Sequence, residues 1–441
     1  MSRVPRELPV RVVQDPSRGF TRFPRRTAAA PDLVVGVDRL GHDLVQVRMH
    51  GPALPDLGSE HRLTLRRSPA EIEAVAARLR HVWKREFIDA QPLDERGRPA
   101  PGRTELPYAT LVDLGGEPEE ELYAAVEELA AQGSYLLFDL LLGGNPGHPD
   151  RSGGDGDGGL RIFRDILTFV LAGERPLRIR FDSELFIPWP MLALPRSAPT
   201  GGRGLDGLFR RFLGHRHRIE QTCGHYAGVR DRLEPRPPVV PVVSLNHDAA
   251  IDPLGRTRAA EVAAALARDT KFTERTTRAE LLRALEEGRL DEQFMYFWCH
   301  GKFRTDDGQS PCLVVRLTDG GEIDAYTVRG RPPVNGSEDS FRPLVMLNAC
   351  YAGVPSGADL AHLGRALIER GARGVIGPQI EMPQVFAAEY ALAFVTRYLE
   401  GEETAGEIAH ALARRFADRY RNPLGFAYAL HGGMDERLER G

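Results

Sequence analysis

The sequence predicts an α/β fold built on a mostly parallel β-sheet flanked by helices, and three observations carry that prediction. Phe294-Met295-Tyr296-Phe297-Trp298 and Leu344-Val345-Met346-Leu347 are continuous apolar runs without polar alternation, the pattern of strands covered by helices on both faces. Beyond residue 160 such runs alternate with segments of three-and-four apolar spacing, which argues parallel strands joined by crossover helices. With 441 residues, 42% hydrophobic and 27% charged, the chain can bury a large core and has the balance of a globular protein.

Taken in order, residues 1–31 are rich in Arg and Pro without apolar period and read as a flexible arm. An N-terminal α+β region follows over 32–150. Leu33-Val34-Val35-Gly36-Val37 and Leu44-Val45-Gln46-Val47-Arg48 read as short strands. Ile72, Val75, Leu79 and Val82 set a helix over 69–87, and a second amphipathic helix is expected over 118–131. The segment 91–107, crowded with Pro, Gly and charge, reads as an exposed loop. Residues 151–159, carrying Ser152-Gly153-Gly154-Asp155-Gly156-Asp157-Gly158-Gly159, read as a Gly/Asp-rich linker or loop. Alternating Asp and Gly also invites a calcium loop, but the full ligand spacing with its terminal Glu is missing.

The remaining region, 160–433, holds a helix over 160–172, a strand over 176–182 and the apolar stretch Leu185 to Pro190. A strand over 239–245 precedes helices over 257–268 and 277–288. Strands follow over 293–299 and 344–349, then a helix over 359–370, a strand over 374–380, and helices over 384–399 and 404–419. Residues 434–441 form a tail.

A net charge of -4 creates no field that would gather nucleic acid or an anionic membrane, so neither is an expected partner. Nearly all the positive charge is arginine; Lys84, Lys271 and Lys302 are the only lysines. No stretch approaches the roughly 18 apolar residues of a membrane span. Four cysteines without a paired framework, and an N-terminus without the apolar core of a signal peptide, predict a cytoplasmic protein with reduced thiols. There is neither a phosphate-binding loop nor a dinucleotide fingerprint, so no cofactor is expected.

The two apolar runs each end on a reactive side chain: Cys299-His300-Gly301 follows the first and Asn348-Ala349-Cys350 the second. In parallel sheets chemistry collects outside the carboxyl ends of strands, so His300 and Cys350 are predicted as a catalytic dyad. A Cys350 thiolate would attack a carbonyl carbon while the His300 imidazole passes a proton to the leaving amine. Backbone N–H groups of Gly301 and Cys350 would hold the oxyanion. Caspases place the His about 50 residues before a Cys in a Gln-Ala-Cys-x-Gly context, and this spacing is close to that.

These pieces resemble CHAT-domain proteins, relatives of caspases and separase. The resemblance rests on an ordered series: Leu185-Phe186-Ile187-Pro188-Trp189, like a strand ending in Leu-Pro-Trp; Phe212 to His217; Tyr296 to Gly301; Val345 to Gly353; Leu363 to Leu367 with Gly371 to Gly377; and Phe426 to Gly432 as a closing strand. It implies a caspase-like fold with a peptidase domain over 160–433, the His300–Cys350 dyad, a protein substrate, and a role in bacterial anti-phage defence or programmed cell death. Ile380 departs from the family's usual Trp. In legumain and separase an acid after the corresponding strand binds a basic residue before the scissile bond, so Glu381 is the implied substrate-binding residue; alone, it also reads as a solvated carboxylate. Asp359 is a weaker second such residue, because an acid at a helix start is adequately explained by capping.

Other readings stay open. An inactive caspase-like scaffold or a ligand-gated sensor would share the motifs, and an upstream activating protease or sensor is a further expected partner. His215, His217, Cys223 and His225 are zinc-ligand types at a spacing that matches no closed site, and no metal is expected. The loop from Arg329 to Arg342 reads as an exposed insertion between the dyad strands and as a candidate autoprocessing site.

Overall fold

The computed structural model describes residues 30–55, 60–89, 108–143, 156–199, 201–222, 237–287, 290–304, 312–329, 341–350 and 360–441, with the backbone alone at 156–157, 302–304, 312–313, 350 and 360–362. Asp359, Cys223, His225, the 91–107 loop and the insertion at 330–340 lie outside these residues.

The chain opens with an antiparallel meander, β1 (Leu33–Arg39), β2 (Leu44–His50) and β3 (His61–Arg66). Helix α1 (Pro69–Lys84) starts where the Ser68 hydroxyl accepts the Glu71 N–H and Pro69 takes the first position, whose N–H needs no partner. It runs on into a π-helical turn over Arg85–Asp89. Helix α2 (Glu119–Ser134) ends likewise in a π turn, Tyr135–Leu141.

Helix α3 (Gly156–Leu171) begins inside the segment expected as linker; residues 151–155 lie outside the described residues. Then come β4 (Arg178–Ser183), the short helices α4 (Gly204–Phe209) and α5 (Leu213–Arg216), and β5 (Arg218–Thr222). The stretch Leu185 to Trp189, expected as a strand, instead leads into a 3-10 turn at Trp189–Met191. Pro188 and Pro190 have no N–H to give a ladder, and Trp189 stacks on Phe181 of β4 at 3.9 Å between ring centres. Phe212 to His217 holds α5, and the next strand starts only at Arg218.

The second half follows as β6 (Val242–His247), α6 (Ala259–Ala267), β7 (Lys271–Arg275), α7 (Arg278–Glu286), β8 (Phe294–Arg304), β9 (Cys312–Arg316), β10 (Glu322–Ile323) and α8 (Ala325–Arg329). It closes with β11 (Leu344–Cys350), α9 (Leu360–Arg370), β12 (Gly374–Pro378), α10 (Gln384–Glu400), α11 (Ala405–Tyr420) and β13 (Tyr428–His431).

All these strands join one mixed sheet, ordered β10-β9-β8-β11-β12-β13-β5-β4-β1-β2-β3, with β6 between β7 and the first half of β8. Parallel pairing joins β7-β6-β8-β11-β12 and, separately, β13-β5-β4-β1. The two blocks meet antiparallel at β12-β13. One sheet edge therefore carries the carboxyl ends of β8, β11 and β12 beside the amino ends of β13, β5 and β4. The N-terminal region is part of this sheet, because β1 is hydrogen-bonded alongside β4.

Side-chain alternation sorts the buried strands onto two faces. Phe294, Tyr296, Trp298, Leu344 and Met346 enter the main core with α6, α10 and α11. Met295, Phe297, Cys299, Val345, Leu347 and Ala349 enter a second core with α7, α8 and α9. Each fully buried aromatic or aliphatic side chain contributes about 1.5–3 kcal/mol. The fold is the expected α/β architecture. Among the described residues no helix is long and apolar enough to cross a membrane.

Candidate active site

Cys350 is the last residue of β11, and its backbone lies directly opposite His300 of β8 in a parallel register that runs unbroken from Leu344 opposite Phe294. Neighbouring strands are about 4.8 Å apart, so the two positions are adjacent across the ladder. His300 continues the face of Tyr296 and Trp298 and is exposed, although the three residues before it are buried. Cys350 ends β11, whereas β8 runs on past His300 to Arg304. Cys299 is fully buried on the other face, as expected of an inert thiol.

At His300 strand β8 changes partner. Up to Trp298 it pairs with β6 on the side away from β11; from His300 onward it pairs there with antiparallel β9. The histidine thus stands at a fork, with Gly301, itself buried, opposite Val315 on the outgoing arm.

Beneath the end of this parallel ladder lies a buried polar hub that sequence reading missed. The Asn348 carboxamide donates to the Tyr296 hydroxyl (3.2 Å) and the Ala387 carbonyl (2.9 Å), and its oxygen accepts from the Tyr428 hydroxyl at 2.7 Å. Tyr428 stacks face to face on Tyr390, ring centres 3.7 Å apart. Burial pushes the Tyr390 phenol well above its ordinary range. Asn348 is the one polar side chain in an apolar strand, and that was the available signal: a buried amide demands partners.

Glu381 follows β12 at the same sheet edge, held between buried Ile380 and Met382. It is not a freely solvated loop acid. Its carboxylate lies 2.7 Å from the Lys84 ammonium at the end of α1, a charge contact not aligned as a hydrogen bond.

Two of the histidines considered for zinc, His215 and His217, have other work. His217 accepts the Leu177 N–H at Nδ1 (3.2 Å) and donates from Nε2 to the Leu171 carbonyl (2.9 Å), so both ring nitrogens are spent tying α3 to β4. Burial pulls it down to about 3, and it is neutral. His215 pairs with Asp418 at 2.8 Å. Among the described residues no three His, Cys, Asp or Glu side chains gather as a metal site.

A family model for the CHAT domain matches residues 170–424. No curated protein matches the sequence. Two crystal structures of the Saccharomyces cerevisiae separase–securin complex are similar in shape, with TM-scores of 0.45 and 0.43 at 9% identity. Each alignment covers 91% of this chain, which spans only 30% of the separase chain.

Proposed function

The chain belongs to the CHAT-domain family, and from that premise we propose that it is a caspase-like cysteine endopeptidase with Cys350 as nucleophile and His300 as proton shuttle. The observation that carries the reading is the register that sets Cys350 opposite His300 as the last pair of the parallel ladder between two buried strands.

The chemistry needs both groups. The Cys350 thiolate attacks the scissile carbonyl carbon, and the oxyanion is held by the backbone N–H groups of Gly301 and Cys350. As the C–N bond breaks, the imidazolium of His300 gives its proton to the departing amine. Water, deprotonated by the same imidazole, then hydrolyses the thioester and returns the free thiol. Glu381 selects a basic residue before the scissile bond through a charge-assisted contact. The wider role we infer, on the resemblance alone, is cleavage of a partner protein in bacterial defence or programmed death.

The test is covalent labelling of the full chain by peptidyl acyloxymethyl ketones, with the modified residue mapped by mass spectrometry. Labelling at Cys350 that is lost in His300→Ala supports the peptidase. Labelling indifferent to His300, or none at Cys350, sinks it and favours an inactive scaffold.

A further inference from the structure

Lys84 and Glu381 meet although they come from opposite ends of the chain, and the contact bears on what the site accepts. The lysine belongs to the last residue of α1, whose end is firmly held. Trp83 is fully buried and packs edge-on against Phe212 at 5.7 Å, and Phe87 stacks on Tyr108 at 5.5 Å. The backbone beneath Lys84 is therefore fixed while its four-carbon stem can swing. Its ammonium lies 2.7 Å from Glu381 and 3.8 Å from Asp89, so a single cation is shared by two carboxylates. The nearby Glu86 is matched by Arg85. The trio Lys84, Asp89 and Glu381 carries one net negative charge, which is room for one more cation.

Residue choice points the same way. Of 58 basic residues only three are lysines, and one of them stands here. Arginine would grip a carboxylate through two parallel N–H groups, whereas an ammonium holds it as a point charge and exchanges readily.

We propose that Lys84 is a specificity-determining residue: an internal counter-cation on Glu381 that a basic substrate side chain must displace toward Asp89. The inference rests on the reading of Glu381 as the acid that receives the substrate's basic residue. Entry of an Arg or Lys side chain moves Lys84 onto Asp89 and leaves both carboxylates paired. A neutral side chain gains nothing by moving it. Lys84 thus lowers the site's appetite for cations and sets how much of Glu381's charge a substrate feels.

The experiment uses the full chain and two acyloxymethyl ketone probes differing only before the reactive carbon, one with arginine and one with its neutral isostere citrulline. Second-order labelling rates at Cys350 are measured for wild type, Lys84→Met, Lys84→Arg, Glu381→Gln and the Lys84→Met/Glu381→Gln double variant. Lys84→Met should raise the arginine-to-citrulline ratio by about fivefold, the upper end for a partly screened ion pair. Lys84→Arg should lower it, and Lys84→Met should change nothing once Glu381 is glutamine. Misfolding would depress both probes together and cannot produce opposite shifts. An unchanged ratio in both Lys84 variants, with Glu381→Gln still lowering it, overturns the role of Lys84 and leaves Glu381 standing. A ratio insensitive to Glu381→Gln overturns both.

Discussion

The Tyr428 hydroxyl donates to the Asn348 carboxamide oxygen at 2.7 Å, linking the strand at which the two parallel blocks meet to the strand that ends on Cys350, two residues from its end. Asn348 also reaches Tyr296, four residues before His300 on the neighbouring strand, so one amide braces both β8 and β11. Removing it takes one hydrogen bond from each of two buried hydroxyls and a carbonyl. Asn348→Ala should cost about 3 kcal/mol and Tyr428→Phe about 1 kcal/mol, read from urea unfolding. Equal costs for the two variants would argue against a hub centred on Asn348.

The buried ion pair between Arg275 of β7 and Glu292, 2.6 Å apart, supports a second prediction. Glu292→Ala leaves an uncompensated guanidinium inside the protein and should cost about 3–5 kcal/mol. The double variant Arg275→Met/Glu292→Leu should recover most of that loss, because neither charge remains to be desolvated. Thermal melts of the wild type and the two variants give the comparison.

His217 gives the fold an acid limit. Its folded value, pulled down to about 3 by burial, lies below the ordinary 6.5, so between those values the unfolded chain binds a proton that the folded one refuses. Stability is fully present above pH 6.5 and is lost as the pH falls, by about 1.4 kcal/mol per unit for this group. His410 and His431, each lowered to about 4 chiefly by burial, add in the same direction. Melting temperatures from pH 7 down to pH 4.5 should fall, and His217→Gln should make the fall shallower.

Gly371 links α9 to β12 with φ +133°, and a Cβ there would collide with the Phe341 carbonyl oxygen. Gly371→Ala should cost at least about 2 kcal/mol from backbone strain alone. The same substitution at the exposed Gly41, where a Cβ meets nothing, should be close to neutral in the same unfolding assay.

Strands buried on both faces were legible because they are continuously apolar, and the residues that follow the two runs, His300 and Cys350, do lie opposite each other in the ladder. Helices α9, α10 and α11 fell within a residue of expectation for the same reason: their apolar spacing is regular and long. What escaped lies where local pattern is weak. Strand β7, Lys-Phe-Thr-Glu-Arg, is polar because it flanks the sheet beside β6, and β9 declares itself only through pairing with β8. The turn at Trp189 was misread because its apolar residues serve packing while its prolines forbid a ladder. Lys84 could not be matched to Glu381 from sequence, since only the fold brings α1 to the end of β12.

The pairing of β1 with β4 governs how this protein can be shortened. A chain beginning after residue 150 would retain every motif of the family, yet it would expose the full hydrogen-bonding edge of β4, and α1 and α2 would no longer cover the apolar side chains they bury. Such an edge invites a second copy to complete it. A fragment trimmed to the recognisable motifs would be expected to associate or precipitate, and its silence in an assay would report a broken sheet rather than an idle dyad.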